Sequence, residues 1–283
     1  MPAAWSRGNW NQMITPKLQA EIEQHLSDKI TAIAPLSAAN NAHIYRMTLK
    51  SGGRFVAKVA ESGLDTEAWM LKFLRENSKL PVPGVRYSNE HVIIMEFVES
   101  HHNLDDAAQI NAAELLAELH KIKGESYGFP RDTKIAGFPQ PNKECKDWIK
   151  FFSEQRLLYM ASEALKENKI DKKMMKQVEK LVGKLAGYIK DPNPPSLIHG
   201  DIWGGNILCI RGKVAAFLDP AIYYADPEIE LSFIKLLNTF GSAFFSRYQE
   251  INPIKPGFYE ERCEIYSLYP LLVHARQFGL SYT

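Results

Sequence analysis

Between Ser196 and Pro220 three oxygen-bearing side chains stand in an order that could do chemistry: Asp201, Asn206 and Asp219. The first two bracket the turn Ile202-Trp203-Gly204-Gly205, and the third follows the apolar run Val214 to Leu218. Phosphoryl transfer asks little covalent help of a protein. It needs a group to accept the attacking hydroxyl's proton and oxygen ligands to hold magnesium on the phosphates of ATP. Asp201 suits the first task, Asn206 and Asp219 the second.

Asp, Gly and Asn dominate turns for steric reasons, so a turn of this composition is not in itself catalytic. The spacing is more specific. An aspartate five residues before an asparagine, with a second aspartate on the next hairpin, is the order of the protein-kinase catalytic segment. His199-Gly200 before Asp201, and a buried strand delivering Asp219, complete that order.

The elements that must position these groups can be read upstream. Thr15 to Ile30 has Leu18, Ile22, Leu26 and Ile30 at helical spacing behind a Thr-Pro start, which predicts an opening amphipathic helix. His43 to Lys50 and Arg54 to Ala60 alternate around Ser51-Gly52-Gly53, a hairpin signature. Lys58 sits among apolar neighbours, where a lone ammonium is costly, so it needs an anion. Asp65 is placed to cap a helix reaching Asn77 that carries Glu67, Leu71 and Leu74 on one face. A strand lysine facing an acid on the next helix is the kinase arrangement in which the lysine also contacts ATP phosphates, which makes Lys58 and Glu67 a candidate pair.

Before Lys58, the place for a phosphate-covering loop is held by Pro35 to Ala42, which contains no glycine. Glycine eases backbone approach to phosphates, whereas here Ser37 and Asn40 would have to serve, Asn tolerating left-handed conformations. Val92 to Val98 reads as a strand leading into a hinge, where backbone groups of Glu96 to Val98 would meet the adenine edge. The boundary near Ser100 separates a nucleotide-binding lobe, residues 1–100, from a catalytic and acceptor-binding lobe, residues 101–283. Helices are expected from Leu104 to Ile122 and Lys173 to Ile189, from the Asp226-Pro227 start to Phe240 with Gly241 as its stop, and within Phe258 to Tyr282. His120 closes the first stripe and reads as a packed or capping histidine. Glu230, in the first buried turns after Asp226, is expected to anchor the backbone of the catalytic loop.

With 283 residues, 45% of them hydrophobic, the chain can bury one large core or two modest ones. Basic and acidic residues number 34 and 33, so no whole-protein field favours nucleic acid or an anionic membrane. Cys145, Cys209 and Cys263 are odd in number and scattered, unlike a disulfide framework or a zinc site. With no signal-like start and no long apolar run, these features predict a cytoplasmic protein with small-molecule partners.

His199-Gly-Asp-Ile-Trp-Gly-Gly-Asn206, Asp219-Pro-Ala with Tyr224 to Leu231, Gly137-Phe-Pro-Gln-Pro-Asn142 with Asp147-Trp-Ile-Lys-Phe-Phe152, and the stretch Tyr266 to Gly279 together resemble the fructosamine/ketosamine kinase family. That family is similar to the aminoglycoside phosphotransferases and, more distantly, to protein kinases. The resemblance implies a bilobal, protein-kinase-like α+β fold, with an antiparallel sheet in the small lobe and a mainly helical second lobe. It implies an ATP- and Mg2+-dependent kinase acting on the sugar of a ketosamine, usually at the 3-hydroxyl, in the removal of sugars from glycated amines. Asp201 would be the base, Asn206 and Asp219 the metal ligands, Lys58 the phosphate contact with Glu67 as its partner, and Trp203 with Gly128 to Asn142 the wall around the sugar. Ala38-Ala39 stand where the family has a Gly-Gly pair, which keeps a nucleotide-binding pseudokinase open. A kinase for another amine-bearing alcohol, such as an aminoglycoside or a choline-like compound, is the other alternative. Residues 226–283 contain seven acidic and five basic residues, no concentrated acidic surface for a polycation, which favours an acceptor with few amines.

Overall fold

The computed structural model describes residues 14–39, 42–101 and 103–279. The chain divides into two compact units, one of residues 1–73 and 83–98, the other of residues 74–82 and 99–283. Residues 74–82 thus group with the second unit although they lie within the first hundred.

In the first unit, helix α1 (Pro16–Leu26) is followed by strands β1 (Ile30–Ala39), β2 (Ala42–Leu49) and β3 (Arg54–Ala60), the start of helix α2 (Leu64–Asn77), and strands β4 (Val85–Ser88) and β5 (Val92–Glu96). The strands form a five-stranded antiparallel sheet in the order β1-β2-β3-β5-β4. Alternation along each strand separates two apolar faces. Tyr45, Met47, Ala57, Val59, Val92 and Ile94 pack with Ile22 of α1, while Ile93 and Met95 pack with Leu64 and Ala68 of α2, joined by Val56 and Ala60. Lys58 shares the strand parity of Val56 and Ala60 and so belongs to the α2 side.

Several expected boundaries move. Helix α1 stops at Leu26 because Ser27 adopts the left-handed conformation (φ 52°) and turns its N–H back to the Gln24 and Glu23 carbonyls, which releases Ile30 to begin β1. The Pro35 to Ala39 stretch is the extended arm of the β1-β2 hairpin rather than a separate loop, with Ser37 opposite Ile44 and a register irregularity between Pro35 and Ser37. Proline has no N–H to give a ladder, which fits its place at that irregularity. Helix α2 begins at Leu64, so Asp65 lies in its first turn instead of capping it.

The second unit is built around helices α3 (Asp106–His120), α4 (Trp148–Phe152), α5 (Tyr159–Lys166), α6 (Lys172–Val182), α7 (Leu185–Tyr188), α8 (Glu228–Leu236), α9 (Ser242–Ile251) and α10 (Cys263–Phe278). Asp105 caps α3, accepting the Ala108 N–H at 3.0 Å. The long helix expected from Lys173 to Ile189 is broken at Gly183-Lys184 into α6 and α7. Asp226 accepts the Glu228 N–H at 3.0 Å, but α8 begins one residue later than expected, at Glu228 with Pro227 as its N-cap, and ends at Leu236, and Gly241 stands as the N-cap of α9 rather than the end of α8. No helix among the described residues is long and apolar enough to cross a membrane.

Three two-stranded ribbons complete the unit: β6 (Thr133–Ile135) with β7 (Phe138–Gln140), β8 (Ser196–Ile198) with β11 (Tyr223–Ala225), and β9 (Ile207–Ile210) with β10 (Lys213–Phe217). Beside them an aromatic core stacks Trp148 on Phe151 and Phe152, with the Trp148 indole N–H donating to the Tyr266 hydroxyl at 2.9 Å. Cys145, Cys209 and Cys263 are free thiols.

Candidate active site

The ribbons position the loop that carries Asp201 and Asn206. β8 delivers His199-Gly200-Asp201, and a short 3-10 turn at Gly204–Asn206, closed by the Asn206 N–H on the Trp203 carbonyl at 2.9 Å, leads into β9. β10 then delivers Asp219. The two limbs are tied by backbone bonds, Leu218 N–H to Asn206 carbonyl at 2.8 Å and Ala221 N–H to His199 carbonyl at 2.7 Å.

Gly200 lies at φ +87°, and a Cβ there would strike the Ala221 carbonyl. Only glycine lets the limbs approach this closely. Asp219 holds a left-handed φ of 51°, a conformation that Asp tolerates better than most residues.

The Asn206 amide nitrogen donates to both the Asp201 carbonyl (3.0 Å) and the Asp201 Oδ2 (2.9 Å). Asp201 is therefore oriented by the residue five positions on, through the nitrogen end of the Asn206 amide. His199 is fully buried, and its Nδ1 accepts the Asp201 N–H at 3.3 Å. Burial pushes the pKa of His199 down to about 4, against the opposing attraction of Glu230 and Asp219.

Glu230 is buried beneath the same loop. Its Oε1 accepts the Gly200 N–H at 2.6 Å and its Oε2 lies 3.4 Å from the His199 N–H, so it anchors the loop backbone as its place in the sequence suggested. Burial works to raise its pKa. The hydrogen bond from His120, the neighbouring imidazoles of His120 and His199, and the Gly200 N–H outweigh that and hold the carboxylate below its usual range.

In the first unit Lys58 and Glu67 meet as expected, the ammonium lying 2.8 and 2.7 Å from the two carboxylate oxygens, with the lysine buried. Ser37 is exposed on β1, and Asn40 lies outside the described residues. The Glu96 side chain is engaged with Arg86 at 2.7 Å and the Gly84 N–H at 3.2 Å, and its own N–H donates to the Gly84 carbonyl at 2.9 Å. Val98 is half-buried beyond the end of β5.

Trp203 is 44% exposed, unusual for so large an apolar ring, and lies against Gly205, where a Cβ would collide with the indole. The Gly128 to Asn142 stretch contains the β6-β7 hairpin, turned by Ala136 and Gly137 at positive φ. It is fastened by the Gln140 amide on the Ala221 carbonyl (3.1 Å) and by Arg156, which donates to the Pro141 carbonyl and the Asn142 Oδ1, both at 2.6 Å. Sequence reasoning gave Gln140 no role of its own within that stretch and missed Arg156. A buried arginine stacked over Tyr223, 3.9 Å from the ring centroid, leaves no local pattern.

A mixed α+β fold with this aspartate-asparagine-aspartate loop defines a phosphotransferase of the kinase-like class. The chain belongs to the fructosamine kinase family, whose model matches residues 13–283. It is 32% identical to a chloroplastic protein-ribulosamine 3-kinase of Oryza sativa subsp. indica, over 90% of this chain and 76% of that one. A crystal structure from Thermobifida fusca described as a fructosamine-3-kinase superposes with a TM-score of 0.85 at 27% identity, covering 95% of each chain. An aminoglycoside phosphotransferase in complex with ADP and hygromycin B shares the fold alone, with a TM-score of 0.65 at 15% identity over 94% of this chain and 92% of that one.

Proposed function

We infer that this protein is an ATP-dependent ketosamine kinase, phosphorylating the sugar of a fructosamine or ribulosamine at its 3-hydroxyl as a step in deglycation in the cytoplasm. The observation that carries the reading is the Asp201–Asn206 pair, placed on its loop in a chain that belongs to the fructosamine kinase family. The ribulosamine 3-kinase name of a relative that this chain matches over most of its length supports the acceptor.

Asp201 takes the proton of the attacking hydroxyl and orients that oxygen toward the phosphorus. Lys58, held extended by Glu67, contacts the phosphates. Ser37, on the β1 arm, and Asn40 would cover them, and the backbone of Glu96 to Val98 receives the adenine edge. Trp203 and the Gly128 to Asn142 hairpin wall the sugar.

Magnesium suits the residues assigned to it. Asn206 and Asp219 present hard oxygen donors, and a single carboxylate with an amide oxygen is the sparse protein share that Mg2+ takes when phosphates and water complete its shell. Among the described residues no cluster of three or more His, Cys, Asp or Glu competes as an all-protein metal cage. When bound, the ion neutralises charge on the transferring phosphate.

Specificity constants measured with ATP and magnesium for fructosyl-lysine, ribulosyl-lysine, an aminoglycoside and choline test the reading. The ketosamines are expected to exceed the other acceptors by at least roughly 10²-fold, the scale at which a site built to hydrogen-bond its substrate rejects others. A preference for the aminoglycoside or choline overturns the acceptor, and ATP binding without transfer to any acceptor would leave a pseudokinase.

A further inference from the structure

Helix α3 ends in a histidine that its apolar stripe does not require. His120 is completely buried, with Nε2 2.8 Å from Glu230 Oε2 and Nδ1 2.7 Å from the Tyr248 hydroxyl. Counting hydrogens gives this cluster a direction. The Tyr248 oxygen accepts from the Asn252 amide at 2.9 Å, and the one proton it can give has His120 Nδ1 as its acceptor. Nδ1 is then the accepting nitrogen, and the ring proton sits on Nε2, facing Glu230. The opposite tautomer, or a doubly protonated ring, would set an N–H against the Tyr248 oxygen and strand its hydroxyl proton in a buried site.

The chain of donors therefore runs from Asn252 through Tyr248 and His120 to the Glu230 carboxylate, which grips the Gly200 N–H from its other oxygen at 2.6 Å. Gly200 is the residue whose positive φ sets the direction in which Asp201 leaves β8. A buried carboxylate without its imidazole partner would lack a donor and be freer to rotate, and the peptide it holds would rotate with it.

We propose that His120 is a positioning residue for phosphoryl transfer: protonated on Nε2 and held by Tyr248, it fixes the Glu230 carboxylate that grips Gly200, and through it the aim of Asp201. The proposal rests on Asp201 serving the transferred hydroxyl as above.

Two measurements on the full-length protein test it. Long-range 1H–15N NMR of histidine-labelled protein, with the His120 signals identified by their loss in His120→Gln, is expected to show the proton on Nε2. A proton on Nδ1, or on both nitrogens, overturns the proposal.

Steady-state kinetics then compares His120→Leu, which removes the donor, with His120→Gln, whose amide N–H has about the reach of Nε2. The Leu variant is expected to lose roughly 10-fold or more in kcat with KM for ATP little changed, as small misplacements of a reacting group do, and the Gln variant to recover most of it. The losses from His120→Leu and Glu230→Gln should not add. A folded Leu variant with wild-type kcat, a Gln variant no better than Leu, or additive losses each contradict the proposal. Should the Leu variant fail to fold, Tyr248→Phe removes a single oxygen and carries the test. A lower kcat with an altered His120 tautomer signal supports the proposal, and an unchanged kcat overturns it. A wild-type protein that transfers no phosphate overturns the functional reading as well, whereas normal turnover indifferent to His120 overturns only this one.

Discussion

As the proposed metal ligands, Asp219 and Asn206 would offer a cation different things. Asp219 brings a negative charge, while Asn206 brings a neutral carbonyl oxygen and spends its amide protons on Asp201. Asp219→Ala is therefore expected to abolish magnesium-dependent ATP binding, because charge neutralisation dominates the affinity of a hard cation. Asn206→Ala should weaken binding less and damage turnover more, since it also releases the Asp201 carboxylate. Calorimetry with and without magnesium, alongside kcat, separates the two effects; equal and metal-independent nucleotide affinity in both variants would contradict the assignments. The Asp201–Asn206 contact was legible in the sequence because a short loop fixes its own spacing. His120 was not legible as a partner of Glu230, since 110 positions separate them and the only local hint is a histidine closing an apolar stripe.

At the scale of elements, β3 and α2 place Lys58 against Glu67 by two simple periods. Alternation along the strand puts Lys58 on the parity of Val56 and Ala60, and the helix presents Glu67 three residues after Leu64, which packs on that side. The pair lies nine positions apart, so local pattern was enough to find it. By contrast β1 was hidden by Pro35 and by irregular alternation, and the β6-β7 hairpin by strands of three residues each. Because the pair is largely buried, each single replacement strands a charge, at a cost of about 3 kcal/mol or more. Lys58→Met and Glu67→Gln are each expected to lower activity and stability, and the double variant to fall short of their sum. Strict additivity in a double-mutant cycle would mean that the two groups do not act together.

For the molecule as a whole, the buried loop histidine links stability to pH. With His199 at about 4 in the folded chain and near an ordinary 6.5 when unfolded, the unfolded state binds the extra proton between those values. Its contribution is complete above pH 6.5 and declines as pH falls through about 4, by about 2 kcal/mol already at pH 5. The lowered pKa of Glu230 adds to this loss at more acid pH. Urea unfolding at pH 7 and pH 5 should show the decline, and His199→Asn, which keeps an acceptor for the Asp201 N–H, should flatten it; an equal decline in the variant would assign it elsewhere. Strand patterns early and helix patterns later were readable in the sequence and the resemblance supplied the α+β class, while the grouping of residues 74–82 with the second unit was not readable, because it depends on contacts distant in sequence. The most direct test of ketosamine phosphorylation is the product itself. Fructosyl-lysine incubated with ATP, magnesium and the protein should yield one ADP per ketosamine phosphate, with the 31P signal coupled to the proton on carbon 3, and Asp201→Asn should slow its formation by roughly 10²-fold while still binding ATP. Phosphate released only to water, coupled to another carbon, or formed equally fast by the Asp201→Asn variant would contradict that chemistry.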